Sequence, residues 1–144
     1  MRIILVVLFL AMITAGCGIF GSGYGLVKIQ APNGEEFYFR REVRGLNYEA
    51  LSLSTNSNVC AKPDPDKALV FHAYTPVVFY RFDGNELHLY KMSTVDVPKN
   101  FSNTIKLVLH DITNPEFMAL EKNYAEKGLE ASKVPVDPKL SCWW

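Results

Sequence analysis

Two short turn signals do most to fix what this chain can become. Pro32-Asn33-Gly34 separates the apolar-rich runs Leu26–Ala31 and Glu36–Val43, and Asp83-Gly84 separates Val77–Phe82 from Asn85–Met92. Asn-Gly and Asp-Gly pairs tolerate the positive φ angles that tight hairpin turns demand, so both places predict β-hairpins. With Asp83 and Gly84 as the two loop residues, Arg81 falls opposite Glu86 and Tyr80 opposite Leu87. Tyr48–Ser54, Leu69–Tyr74 and Ile105–His110 add further strand patterns, the second closed by Pro76. Thr55–Lys67, with Asn56, Asn58, Pro63, Asp64, Pro65 and Asp66, reads as a loop. A single helix is expected late in the chain. Asn114 suits its N-cap, Pro115 its first position, Lys127 its last turn and Gly128 its left-handed end. Phe117, Leu120 and Tyr124 give that helix an apolar stripe suited to packing on a sheet. The fold expected is mostly β: a single antiparallel β-sandwich or open barrel of about seven strands with one C-terminal helix.

The first residues follow a different logic. Met1 and Arg2 precede an unbroken apolar run of eleven residues, Ile3 to Ile13, and then Thr14-Ala15-Gly16 leads into Cys17. A spanning helix needs roughly 20 apolar residues, so this run has the proportions of a secretory signal. Thr14-Ala15-Gly16-Cys17 resembles the lipobox of bacterial lipoproteins, in which small residues precede a cysteine that is lipidated and becomes the mature N-terminus. Thr14 stands where that family usually carries Leu. The resemblance implies a signal peptide over 1–16, acylation of Cys17, and attachment to a membrane through that lipid. Gly18 follows the cysteine where an Asp would favour the inner membrane, which implies outer-membrane sorting with the domain on the periplasmic side. Residues 17–25, rich in glycine, are then expected to be a tether, and 26–144 a single β-rich domain.

Assigning Cys17 to the lipid resolves the odd count of three cysteines. Cys60 and Cys142 remain as a pair, and a disulfide between them suits an oxidising compartment. It would also pin Trp143 and Trp144, which are expected either to dock into the domain or to act as contacts for a partner.

The charges are balanced, 15 basic against 15 acidic, and loss of the signal removes only Arg2 from that count. Nothing in that balance offers the basic footprint that nucleic acid requires. Arg40, Arg41 and Arg44 form the densest basic cluster, diluted by Glu35, Glu36 and Glu42, and read as a charged edge strand. His72, His88 and His110 fall on three predicted strands, each opposite the larger apolar set. On one sheet face they would be candidate zinc ligands; as separate, partly exposed residues they would be ordinary surface histidines. His110-Asp111 does not make a triad pair, since neighbours on a strand point to opposite faces. Asn56, Asn58, Asp64 and Asp66 lack the spacing of a calcium loop and suit turn chemistry instead. No nucleotide loop, nucleophile turn or metal-ligand spacing is present in the sequence, and no cofactor is expected. The function expected is that of a non-enzymatic, lipid-anchored binding protein, of the kind that includes immunity and inhibitor proteins acting against a toxin or hydrolase. A structural accessory lipoprotein of an envelope or secretion complex is the second expectation, and a metal-binding protein using the three histidines the third.

Overall fold

The structure, a computed structural model, describes residues 22–45, 47–72, 77–140 and 142. Strands β1 (Ser22–Gln30), β2 (Glu36–Arg44), β3 (Tyr48–Ser54), β4 (Leu69–Phe71) and β7 (Val95–Asp96) form one antiparallel sheet in that order. A second sheet has the order β8 (Lys106–Asp111), β6 (Glu86–Lys91), β5 (Phe79–Asp83) and β9 (Glu130–Ala131). The sheets pack face to face as an open sandwich, with Phe37, Phe39, Leu51, Leu53 and Leu69 from the first meeting Tyr80, Leu87 and Leu89 from the second. Phe37 stacks on Phe101 with ring centroids 5.0 Å apart, and Phe39 tilts against Tyr80 at 5.5 Å. Alternation explains this: residues two apart on each strand face the same side, so one apolar row per strand suffices to fill the layer between sheets.

The helix α1 (Asn114–Asn123) covers the far side of the second sheet and creates a third layer. Phe117 and Leu120 join Phe79 and Leu129 in a second apolar cluster, with Phe79 in ring contact with Phe117 and Tyr124 at 5.4 Å each. The N-cap is Thr113 rather than Asn114. Glu116 decides this, since its carboxylate accepts from the Thr113 backbone N–H at 2.7 Å and from its hydroxyl at 2.8 Å. The regular helix ends at Asn123, before Lys127. Gly128, at φ 67°, turns the chain as expected.

Three further expectations need correction. The β5–β6 register places Asp83 opposite Glu86, Phe82 opposite Leu87 and Arg81 opposite His88, so Gly84 and Asn85 occupy the turn instead of Asp83 and Gly84. Gly84 at φ 57° takes the first left-handed position, and Asn is the next most tolerant residue for the second. The sandwich is also not wholly antiparallel. After β6 the chain crosses to the first sheet to form β7 and returns as β8, which therefore runs parallel to β6. Finally, β1 begins at Ser22, so Gly23 and Gly25 belong to the sheet rather than to a tether. They are glycines because residues 134–136 cross that strand closely: a Cβ at Gly25 would lie 2.0 Å from the Pro135 carbonyl oxygen, and one at Gly23 2.4 Å from Val136. The same segment covers the free edge of β1, where the Asp137 N–H donates to the Tyr24 carbonyl at 3.0 Å.

Candidate functional site

The outer face of the first sheet, away from the sandwich core, is where the sequence was least transparent. Tyr24, Arg40, Glu42 and Ser52 share that face by alternation, yet all are buried. Arg40 is 5% exposed. β2 is an interior strand, flanked by β1 and β3, and so is not the charged edge expected. Residues 55–61 fold back across it, and the Arg40 Nε–H donates to the Val59 carbonyl at 2.6 Å. Arg40 Nη1 pairs with Glu42 Oε2 at 3.0 Å, Arg44 pairs with the other Glu42 oxygen, and the Arg40 guanidinium lies over the Tyr24 ring at 5.2 Å. Arg40 Nη2 is buried and has no hydrogen-bond partner among the described residues.

The cover is held by a covalent bond. Cys60, next to Val59, is joined to Cys142 across a sequence separation of 82 residues, with Cα atoms 5.3 Å apart. The C-terminal segment thus passes the β1 edge and is stapled to the loop that lies over Arg40. Trp143 and Trp144, and Cys17 with its lipobox, lie outside the described residues. The loop itself is built from the asparagines and aspartates noted in the sequence, and they serve as turn formers. Asn56 Oδ1 accepts from the Asn58 N–H, Asn58 Oδ1 from the Cys60 N–H, and Asp64 Oδ1 from the Asp66 N–H, all at 2.9–3.0 Å. Beneath them lies a cavity of about 250 Å³ whose wall includes Arg40, Asn56, Asn58, Asp64 and Lys67.

The three histidines are divided between the sheets. His72 follows β4 in the first sheet and pairs through Nε2 with Asp96 at 2.6 Å. His88 and His110 meet on the outer face of the second, where parallel strands β6 and β8 bring His88 Nδ1 within 2.9 Å of His110 Nε2. His110 also stacks on Tyr90 with centroids 4.5 Å apart. His88 Nε2 stands 3.4 Å from the Glu86 carboxylate, close enough for charge attraction but outside hydrogen-bond geometry. Among the described residues no cluster of metal-ligating side chains assembles.

No match emerges from comparison. No family model fits the chain, and neither a curated protein nor a solved structure is similar to it. The site must therefore be read from its own chemistry.

The histidine pair gives a pH response with a definite sign. Desolvation, then the neighbouring His88 and Arg81, hold the His110 imidazole below its usual pKa. The unfolded chain therefore takes up a proton at His110 before the folded protein does, and stability falls as pH drops below about 6.5. Urea melts at pH 7.5 and 5.5 are expected to show a lower midpoint at the acid value, and His110→Gln to shrink that difference. The carboxylates held low by their partners, Glu36, Glu86 and Glu116, add their own losses only at more acid pH.

Arg40 is the residue that sequence reasoning missed. Alternation along β2 already places Arg40, Glu42 and Arg44 on one face and Phe37 and Phe39 on the other. What it does not reveal is that the first of these faces is covered, because the cover comes from a loop 15 or more positions downstream and a tail near residue 142, tied together by the disulfide.

Proposed function

We propose that the protein is a lipid-anchored, periplasm-facing binding protein without catalytic chemistry, held by acylated Cys17 at the outer membrane. The observation that carries this reading is the Cys60–Cys142 bond. It accounts for two of the three cysteines and leaves Cys17, within its lipobox-like segment, as the one remaining. A disulfide that closes most of the chain into a loop also suits export to an oxidising compartment.

The topology keeps the stapled loop on the outer face of the first sheet. The chain joins the domain at Ser22, only a few residues after Cys17, and residues 17–21 can reach at most roughly 18 Å when extended. The stapled loop leaves β3 at Ser54, which lies beside Tyr38 and, through it, Lys28. Lys28 is six positions along β1 from Ser22, a distance of about 20 Å at the usual strand rise. From Ser54 the loop folds back over Arg40, which pairs with Leu26 four positions from Ser22, so its free side lies on the outer face of the sheet, where a soluble partner can meet it. Rigidity from the staple limits the entropy lost when such a partner docks. Within this class, an immunity or inhibitor protein against a periplasmic toxin or hydrolase is the specific role that suits the size and placement of the domain.

Cys17→Ser tests the anchor. The variant is expected to move from the membrane pellet to the soluble fraction, and globomycin should trap the unprocessed wild-type chain. Equal membrane association of both proteins, with processing unaffected by the drug, would defeat the proposal.

A further inference from the structure

An edge strand exposes a row of unpaired N–H and C=O groups, and folds guard such rows by shortening, covering or charging them. The two sheets end in β1, β7, β8 and β9. Residues 134–136 cross β1 and the Asp137 N–H bonds its Tyr24 carbonyl, while β7 and β9 are two residues each. β8 is the exception. It closes the second sheet with six residues, Lys106–Asp111, and among the described residues no strand pairs with its far side.

The ladder with β6 decides which groups stay open. The Lys106 and Ile112 N–H groups donate to the Asn85 and Lys91 carbonyls, both at 2.9 Å, and in a parallel ladder alternate residues direct both backbone groups to the same neighbour. Leu107, Leu109 and Asp111 therefore direct theirs outward. Leu87 and Leu89 on β6 are fully buried, whereas Leu107 and Leu109, beside them in register, are only half-buried. Charges that would repel a second strand are spent within the chain: Lys106 Nζ donates to Glu86 at 2.9 Å, and Asp111 pairs with Lys91.

β8 is also its own complement. About a two-fold axis through Val108, perpendicular to the sheet, Leu107 exchanges backbone bonds with the partner's Leu109, and Val108 meets the partner's Val108. Lys106 then lies across from the partner's His110, which desolvation holds below its usual pKa and so uncharged at neutral pH. Apolar side chains meet apolar ones, and like charges do not face each other. An axis through Leu107 would instead set Val108 against Lys106, and one through Leu109 would set Leu107 against Asp111.

We propose that two copies of this chain join edge to edge through β8, antiparallel and centred on Val108, so that two four-stranded sheets become one continuous sheet. The interface lies apart from the stapled loop and holds whether or not Cys17 is lipidated.

The protein mass of the detergent-solubilised full chain, followed by light scattering over a concentration series, tests it. Wild type should reach the mass of a dimer, and Val108→Lys, shown folded by circular dichroism, should weaken the dimer about ten-fold by setting like charges on the axis. Mild oxidation reads the register. Paired Val108 positions have Cα atoms about 4.5 Å apart, within disulfide reach, whereas the two Lys106 positions stand about 13 Å apart along the strands. Val108→Cys should therefore cross-link into dimers, and Lys106→Cys and wild type should not. A monomeric wild type, a dimer of unchanged strength in Val108→Lys, no cross-linking of Val108→Cys, or equal cross-linking of Lys106→Cys would overturn the proposal.

Discussion

Replacing Cys60 and Cys142 together with alanine should cost about 4.5 kcal/mol of folding stability, the chain-entropy value for a loop of this length. The bond spans a separation of 82 residues, so reduction restores most of the chain's freedom in the unfolded state. The loss is not only entropic. The same bond holds the loop whose Val59 carbonyl accepts from Arg40, and holds the tail near the β1 edge. Without it, water gains access to a buried ion pair, and the outer face of the first sheet becomes the first region to open. Urea unfolding of wild type with and without reductant, beside the double variant, checks this. The reduced wild type and the double variant should unfold at similar, much lower midpoints, and coincident midpoints in all three samples would show that the staple contributes nothing.

Arg40→Met is the second change with a large expected effect, about 3 kcal/mol, at the low end of the range for removing one partner from a buried pair. Glu42 would be left in the covered layer with only Arg44, whose side chain is 47% exposed, as its counter-charge. The Val59 carbonyl would lose its donor as well. Glu42→Leu alone strands Arg40 in the same layer. The double variant Arg40→Met/Glu42→Leu removes both charges, and its loss should fall short of the sum of the two single losses, because neither charge is left unpaired. Denaturant titrations of the four proteins measure that coupling, and strictly additive losses would mean that the pair is not energetically linked. Because Arg40 and Cys60 act on one loop, combining Arg40→Met with loss of the disulfide should also be less than additive.

Strand content was legible where alternation and turn chemistry agree. Asn33-Gly34 delivers the β1–β2 hairpin, with Gly34 at φ 88°, and the leucines of β6 face the core while His88 and Tyr90 face away. The disulfide was legible from cysteine arithmetic joined to the lipobox resemblance. The illegible parts depend on contacts distant in sequence. Gly23 and Gly25 look like tether residues until the Pro135 carbonyl is placed against Gly25. Arg40 looks like a surface charge until the stapled loop covers it. The parallel β8 follows from an excursion to the other sheet through β7, a two-residue strand too short to carry a pattern of its own. His72 and the other two histidines have the same local pattern, and only the assignment of β4 to the first sheet separates them.

On the proposed reading Cys17 carries lipid, while Cys60 and Cys142 staple the domain. Mass spectrometry of protein extracted from cell envelopes and digested without reduction measures both at once. It should yield an N-terminal peptide that begins at Cys17 and carries the mass of acyl chains, together with a cross-linked species joining the Cys60 and Cys142 peptides. An N-terminus elsewhere, an unmodified Cys17, or Cys17 found in a disulfide with either partner would contradict it.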